Sequence, residues 1–549
     1  MTNPYRLYGN LKILDMSKMD HVAQLRALLE PDYGSTHAVQ SILFHMLGRD
    51  YAGHPDQCKS VIVEREYIDK EFASCYGRFY YRLFMNIPKR CTRLHFFSET
   101  IRRIDLANVE STDSYLGYVV VRPISVMPVG RTVLSPEITS RSDEFVLTQS
   151  THEVNLAGSR LFVDGMSFIQ QDGRVAACAS AAAWMATDYL SQKYSLQSKS
   201  TIEITELATG YDFPRFRSTP GRGLTIPEIS KSFTAMGYSP QTYDHPWPRE
   251  ARQTIYSCVE SKIPAILALS FPEGHHSMVA IGHSFRSPKD PQLRKVDGKR
   301  KLTYYDNTEW VPEFIVHDDQ GGLYGKLRIL PLEDYVKDDK LTIDTGKLPL
   351  PPGVESNTNE VHCPIEVEFS YCDSKFVQSR GEKRIGNLFA IIAPLPPRVS
   401  LLPEDAMRKG YELLVVVNSL YKSPNLSGLV LRTYLESANN YKRSLMDRTD
   451  MSDWLRKFYR GKPMSKYIWI TEISNKDLFD QSAPHERKMF GEIIMDSAAS
   501  PFTPSFIALH VPGYLMTMDP DDTDYVTSLH KARNIPDDVP YSHALRVTK

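Results

Sequence analysis

The chain lacks the cysteine patterns that mark metal sites and disulfide frameworks. Its seven cysteines are an odd number, and no two of them stand at the CxxC spacing of zinc sites. Free thiols persist where the surroundings are reducing. We therefore expect reduced cysteines and a cytoplasmic location.

An excess of charge of one sign is also missing. The 65 basic and 66 acidic residues leave a net charge of −1, whereas nucleic-acid-binding domains carry a clear basic excess. No run of about 18 apolar residues could cross a bilayer, and the first seven residues contain no apolar signal core. We therefore expect no membrane association and disfavour nucleic acid as the main partner.

The length indicates more than one domain. A chain of 549 residues is too long for a single hydrophobic core. We predict an α+β protein in three parts: residues 1–150, residues 151–345 and residues 346–549. The proline-rich segment Leu348–Gly353 predicts the second boundary. The two outer parts are expected to mix helices and strands, and neither contains a catalytic motif.

One cysteine precedes an alanine-rich segment with helical spacing. Cys178 would lie at the N-terminus of that helix, where the helix dipole and unpaired N–H groups favour a thiolate. Gln170 and Gln171 come shortly before it, and an amide side chain can donate to a developing oxyanion. The alternative is that Cys178 is a small buried core residue, as free cysteines commonly are.

A histidine and an aspartate supply the partners that a nucleophilic thiol requires. His276 opens the predicted strand His276–Gly282, and Asp318 follows the apolar strand Phe314–His317. An imidazole accepts the thiol proton, and a carboxylate orients the imidazole. Asp318 is the preferred orienting residue, with Asp319 as the alternative.

The same histidines also suggest a metal site. Zinc accepts the residue types of His275, His276, His283, His317 and Asp318. They lack the HExxH spacing, and on a strand His275 and His276 point to opposite faces. We therefore predict no metal and no other cofactor. Since His317 alternates away from Asp318, we interpret it as structural.

From about residue 165 to residue 330 the chain resembles the papain-like cysteine peptidase superfamily. It is most similar to the branch that contains bacteriocin-exporter peptidase domains and phytochelatin synthases. The resemblance is carried by Gln171, Cys178, His276 and Asp318, in this order, and by the helical segment Gly223–Tyr238. It implies a papain-like central domain with a Cys-His-Asp triad and with Gln171 in the oxyanion hole.

The chain departs from the family pattern at two places. Gln171 lies seven residues before Cys178, one more than is usual in the family, so Gln170 is the alternative oxyanion donor. In addition, the polar segment Arg286–Lys301 lengthens the interval between His276 and the aspartate. We interpret this segment as an exposed inserted hairpin or loop.

The resemblance implies a cysteine-dependent hydrolase, a peptidase or amidase that cleaves a peptide or amide bond through a thioester. Its substrate would be a protein or peptide, and the outer parts would select the substrate or regulate access. Two alternatives stay open: an acyltransferase or isopeptidase with the same triad, and a non-catalytic interaction protein with a papain-like fold. The oligomeric state has no signature in the sequence.

Overall fold

The structure is a computed structural model that covers most of the chain. It describes residues 11–16, 20, 24–25, 58–84, 86–101, 112–124, 127–138, 143–171, 178–210, 223–272, 274–295, 302–331, 363–368, 383–421, 428–480, 488–500, 505–518, 527–531 and 541–542. Helices and antiparallel sheets are both abundant, as expected for an α+β protein. In the described parts of the chain, each helix is too short or too polar to span a bilayer.

Strands dominate the first part of the chain. They are β1 (Leu11–Asp15), β2 (Ser60–Tyr67), β3 (Cys91–Phe97), β4 (Tyr115–Val121), β5 (Val129–Leu134), β6 (Glu144–Val146), β7 (Ser150–Leu156) and β8 (Ser159–Gly165), with helix α1 (Lys70–Arg78) after β2. Helix α1 begins where it does because the side chain of Asp69 accepts a hydrogen bond from the Phe72 N–H. Short 3₁₀ turns span Tyr80–Arg82, Thr112–Ser114 and Pro136–Ile138.

Helices and strands alternate in the central part. They are α2 (Cys178–Tyr194), α3 (Thr201–Thr209), α4 (Ile226–Ala235), β9 (Ser239–Asp244), α5 (Pro248–Glu260), β10 (Ala265–Phe271), β11 (Gly274–Ser284), β12 (Leu293–Lys295), β13 (Thr303–Tyr305), a 3₁₀ turn (Asn307–Trp310), β14 (Phe314–Asp318) and β15 (Gly322–Ile329). Ser200 and Glu203 form a capping box that starts α3.

The last part of the chain again mixes helices and strands. They are β16 (Pro364–Glu368), β17 (Lys383–Leu395), α6 (Pro403–Tyr421), β18 (Leu429–Ser437), α7 (Ala438–Asp447), α8 (Asp453–Gly461), β19 (Tyr467–Asn475), α9 (Lys476–Asp480), β20 (Lys488–Met489), β21 (Gly491–Asp496), β22 (Phe506–Val511), β23 (Tyr514–Met518), β24 (Thr527–Lys531) and β25 (Tyr541–Ser542).

Three large sheets organise these strands. The first sheet is antiparallel and has the order β1-β2-β3-β4-β5. The second has the order β10-β11-β14-β15-β16-β17-β9, and β10 also pairs with β17, so six of its strands close into an antiparallel barrel. The third has the order β12-β13-β18-β19-β21-β22-β23-β24.

Strand pairing does not follow the boundary that we predicted after residue 345. Strands β16 and β17 lie beyond this boundary, yet they complete the barrel between β15 and β10. Conversely, β13 belongs to the predicted central part but pairs with β18 of the third sheet. A proline-rich segment marks a loop without showing which sheet the next strand joins, because ladder hydrogen bonds connect residues far apart in sequence. The segment Leu348–Gly353 lies outside the described residues.

The inserted segment after β11 contains part of a hairpin, as predicted. Strand β12 pairs with β13 in antiparallel register, and Leu293 at its start is 55% exposed. Residues 296–301 lie outside the described part of the chain. The hairpin extends the edge of the third sheet.

Helix α2 is buried along most of its length against the barrel. Its alanines allow close approach to the sheet, and Ala182, Ala183 and Trp184 are at most 1% exposed. The helix packs into the same hydrophobic core as Val279 and Ile281 of β11. This packing fixes the position of the helix N-terminus relative to β11.

A buried network of charges connects the barrel to the third sheet. The guanidinium of Arg432 on β18 donates to Glu260 at the end of α5 and to Glu472 on β19, each at 2.6 Å. Glu260 also pairs with His283 of β11, with 2.7 Å between Oε1 and Nε2. All four side chains are at most 4% exposed. The network therefore joins the strand that bears His276 to the C-terminal part of the chain.

We expect the substitution Arg432→Met to destabilise the protein by about 3–5 kcal/mol, because it leaves two buried carboxylates without their counter-charge. The matched control is Arg408→Met, which removes an exposed arginine paired with Asp405 and Glu412 and should cost at most about 1 kcal/mol. Urea-induced unfolding measures both. Similar losses in the two variants would contradict the role of the network.

Candidate active site

Three elements bring the predicted triad residues together. Cys178 is the first residue of α2, His276 is the third residue of β11, and Asp318 is the last residue of β14. Strands β11 and β14 are antiparallel neighbours in the barrel. This pairing brings the start of β11 and the end of β14 to the same end of the barrel.

His276 and Asp318 form a short hydrogen-bonded ion pair. The imidazole Nε2–H donates to Oδ1 of Asp318 at 2.6 Å, and the two side chains are 8% and 2% exposed. The backbone N–H of Gln320 donates to the same carboxylate oxygen at 2.8 Å. Charge-assisted hydrogen bonds of this length are strong and directional, so the carboxylate fixes the plane of the imidazole ring.

Cys178 is the second side chain beside the imidazole. Its thiol contributes to the raised pKa of His276, so the sulfur lies close to this ring. Because Asp318 occupies Nε2, the nitrogen left for sulfur is Nδ1, which is buried and makes no hydrogen bond among the described residues. Cys178 is also the partly exposed cysteine among those that the structure describes.

The charges around the imidazole favour its protonated form. Burial alone lowers the pKa of His276, but the charge of Asp318, the hydrogen bond to Asp318, the nearby Cys178 thiol and the charge of Asp319 raise that pKa well above its ordinary value. Burial conversely raises the pKa of Asp318, yet the adjacent imidazolium lowers it below its ordinary value. The pair therefore exists as imidazolium and carboxylate at neutral pH.

Asp319 is a second carboxyl group at the same imidazole. Its Oδ1 lies 3.6 Å from Nε2 of His276, a full ångström farther than that of Asp318, and its side chain is fully buried. Burial and the charge of Asp318 raise the pKa of Asp319 to about 7, against the lowering effect of His276. Asp318 is thus the aspartate in direct contact, and Asp319 carries a proton below neutral pH.

The structure separates the roles of the two glutamines. Gln170 is 2% exposed, and its side-chain Oε1 accepts a hydrogen bond from the N–H of Val129 in the first sheet at 3.1 Å. This contact directs Gln170 toward the sheet and does not support it as an oxyanion donor. The backbone N–H of Gln171 lowers the pKa of the Asp319 carboxyl, so Gln171 is the glutamine beside His276 and its two aspartates.

The structure describes both ends of the segment that joins Gln171 to Cys178. Residues 172–177 lie outside the described part of the chain. The backbone N–H of Cys178 belongs to the first turn of α2 and has no partner within that helix. The assignment of Gln171 to the oxyanion hole therefore stays a prediction from the sequence.

The remaining histidines of the sequence pattern do not join the site. His275 is exposed and packs edge-on against Phe389, and His283 pairs with Glu260. His317 packs against Phe168 and Tyr324, as expected for a structural residue. Burial lowers the pKa of His317 to about 3, so its ring is neutral.

One set of described side chains at the site has a spacing that a metal ion would accept. His276, Asp318 and Asp319 offer one nitrogen and two oxygens within 4.8 Å of one another. The direct hydrogen bond between Nε2 of His276 and Oδ1 of Asp318 occupies two of these three atoms. The observed arrangement is therefore that of an orienting ion pair.

Sequence patterns did not predict the position of Arg122, a residue near the site. This buried arginine comes directly after β4, and its guanidinium donates to the backbone oxygens of Gln170 at 3.1 Å and Gln171 at 3.5 Å. The available signal is a charged residue at the end of the apolar run Tyr118–Val121. That signal does not show which segment the arginine contacts.

Comparison of the chain with protein-family models, with curated proteins and with solved structures gives no match. Function is therefore inferred from the arrangement of the side chains of Cys178, His276 and Asp318.

We expect iodoacetamide to label Cys178 at neutral pH about tenfold or more faster than the buried cysteines, because the thiolate is the reactive form. Burial raises the pKa of the Cys58, Cys258 and Cys363 thiols to about 12. His276→Ala should slow the labelling of Cys178, since the counter-charge is lost. Peptide mass spectrometry after timed quenching measures each site. Slow, uniform labelling of all cysteines would contradict an activated Cys178.

We expect the two aspartates to affect the pKa of His276 unequally. Asp318→Asn should lower this pKa by about one unit or more, because it removes a direct ion pair. Asp319→Asn should lower it less, because its carboxyl is more distant and protonated below about pH 7. NMR titration of ¹³Cε1-labelled histidine measures the shifts, with the remote His510 as an internal reference. A larger effect of Asp319→Asn would reverse the assignment of the orienting residue.

Proposed function

We propose that the chain is a cysteine-dependent hydrolase of peptide or amide bonds, with Cys178, His276 and Asp318 as its catalytic triad. The observation that carries this proposal is the His276 imidazole, which is hydrogen-bonded to the carboxylate of Asp318 and lies close enough to Cys178 for the thiol to affect its pKa. These are the nucleophile, base and orienting group that acyl transfer through a thioester requires. A protein or peptide is the proposed substrate.

The central domain is proposed to have a papain-like fold. A long helix presents the cysteine at its N-terminus, and an antiparallel barrel presents the histidine and the aspartate on neighbouring strands. This division of the triad between a helix and a barrel supports the resemblance on which the proposal draws. The proposed location is the cytoplasm, where cysteines such as the free ones described here remain reduced.

The first chemical step is attack by the Cys178 thiolate. With the proton held on His276, sulfur adds to the carbonyl carbon of the scissile amide and forms a tetrahedral intermediate. The N–H group of Cys178 at the N-terminus of α2 and the side chain of Gln171 are the proposed donors to the oxyanion. His276 then gives its proton to the leaving nitrogen, and the C–N bond breaks to leave a thioester.

Hydrolysis of the thioester completes the cycle. His276, now neutral, accepts a proton from a water molecule whose oxygen attacks the thioester carbonyl. The C–S bond breaks, sulfur leaves as a thiolate, and His276 is again an imidazolium. Asp318 stays ionised throughout and stabilises each imidazolium that forms.

We expect purified wild-type protein to create new protein N-termini in a cell lysate, and Cys178→Ala to abolish them. In triads of this kind, loss of the nucleophile lowers turnover by a factor on the order of 10⁶. The matched control is Cys75→Ala, which removes a buried thiol on α1 and should leave the cleavage pattern unchanged. Terminus-selective mass spectrometry provides the measurement.

The same experiment in H₂¹⁸O identifies the acyl acceptor. Hydrolysis inserts one ¹⁸O atom into each new C-terminus, whereas acyl transfer joins the acyl group to an amine and forms a new amide. New amide links without new carboxylates would replace the hydrolase with an acyltransferase. A lysate that is identical with wild type and Cys178→Ala would overturn the proposal in favour of a non-catalytic protein.

A further inference from the structure

We propose that Arg122, directly after β4 of the first sheet, is the positioning residue for the segment that carries Gln171. This inference rests on the proposed function and assigns a role to the N-terminal part of the chain. The role is to hold the oxyanion side of the site, while the barrel holds the base.

The segment before Gln171 extends the first sheet. The N–H of Thr132 on β5 donates to the carbonyl of Phe168 at 2.9 Å, and the N–H of Phe168 donates back to Thr132 at 2.8 Å. Two residues farther on, the N–H of Gln170 donates to the carbonyl of Val129 at 3.1 Å, and its side chain accepts from the Val129 N–H. Main-chain and side-chain bonds together attach this segment to the outer edge of β5.

Arg122 binds the end of this segment through hydrogen bonds to backbone carbonyls. Its Nη2 donates to the carbonyls of Met127 at 2.5 Å, Gln170 at 3.1 Å and Gln171 at 3.5 Å. Gly130 leaves room for the arginine, since a Cβ atom there would lie 3.0 Å from Cγ of Arg122. Because Nη2 carries two hydrogens, the three carbonyls share them, and the contact with Gln171 is the longest of the three.

Gln171, which Arg122 contacts, lies near the catalytic imidazole. The carbonyl of Gln171 accepts from Arg122, and its N–H lies close enough to Asp319 to lower the pKa of that carboxyl, which is 3.6 Å from His276. The peptide of Gln171 thus lies between the first sheet and the barrel. Residues of the site must keep their positions within about half an ångström for efficient catalysis, and Arg122 supplies that constraint on the glutamine side.

Loss of Arg122 should therefore slow amide cleavage but not the alkylation of Cys178. Alkylation of Cys178 by iodoacetamide needs the thiolate–imidazolium pair and no oxyanion hole. Amide cleavage needs both. Arg122 does not contact Cys178 or His276 in the hydrogen bonds described here, so the pair should survive its removal.

The test compares Arg122→Met with Arg93→Met in the full-length protein. Arg93 lies on β3 of the same sheet, is also buried, and bonds to Glu64 and Asn155 rather than to the glutamine segment. The two readouts are the rate of Cys178-dependent N-terminus formation in lysate and the rate of Cys178 alkylation. Arg122→Lys, which retains one charge but not the planar fork, is the conservative variant.

We expect Arg122→Met to lower the rate of N-terminus formation about 10²-fold, the effect of losing an oxyanion donor, with alkylation changed less than about twofold. Arg122→Lys should recover part of the turnover, and Arg93→Met should retain both rates. Parallel loss of cleavage and alkylation in Arg122→Met, or unchanged cleavage, would overturn the positioning role. Wild-type protein that forms no new termini would overturn the proposed function, and this inference with it.

Discussion

The candidate site depends on one buried charge pair, that of His276 with Asp318. A protonated imidazole with so little exposure is unfavourable unless a carboxylate compensates it at hydrogen-bond distance. The pairing of β11 with β14 supplies that carboxylate, and the N–H of Gln320 holds it in place. The same pair leaves Nδ1 free to face a thiol. The nucleophilic role proposed for Cys178 therefore depends on the barrel as well as on its own helix.

The barrel in turn depends on strands from far along the chain. Strands β16 and β17 close it, although more than a hundred residues separate β17 from His276. The network of Arg432, Glu260 and His283 then fastens β11 to the third sheet through groups that are fully desolvated. Burial makes each of these charges costly to leave unpaired. The network thus favours one relative arrangement of α5, β11 and β18, which supports the position of His276.

Local patterns predicted the elements of the site but not the surroundings of each residue. The apolar run with helical spacing predicted α2, and apolar runs next to turn residues predicted β11 and β14. The sequence favoured Asp318 over Asp319 but could not show which carboxyl contacts Nε2, since strand register determines that contact. The contacts of Gln170 and Arg122 could not be predicted for the same reason, because they join segments 41 to 49 residues apart. The sequence also did not predict that β16 and β17 join the barrel, because strand pairing is non-local.

Asp319 limits the negative charge of a site in which the proposed Cys178 thiolate joins two carboxylates and one imidazolium. If every group were ionised, two negative charges would remain uncompensated away from water, at a high energetic cost. Burial and the charge of Asp318 keep a proton on Asp319 up to about pH 7, which removes one of these charges. The N–H of Gln171 lies near this carboxyl and lowers its pKa, while Arg122 of the first sheet binds the carbonyl of the same residue. The first sheet and the barrel thus approach each other at a group whose charge changes near neutral pH.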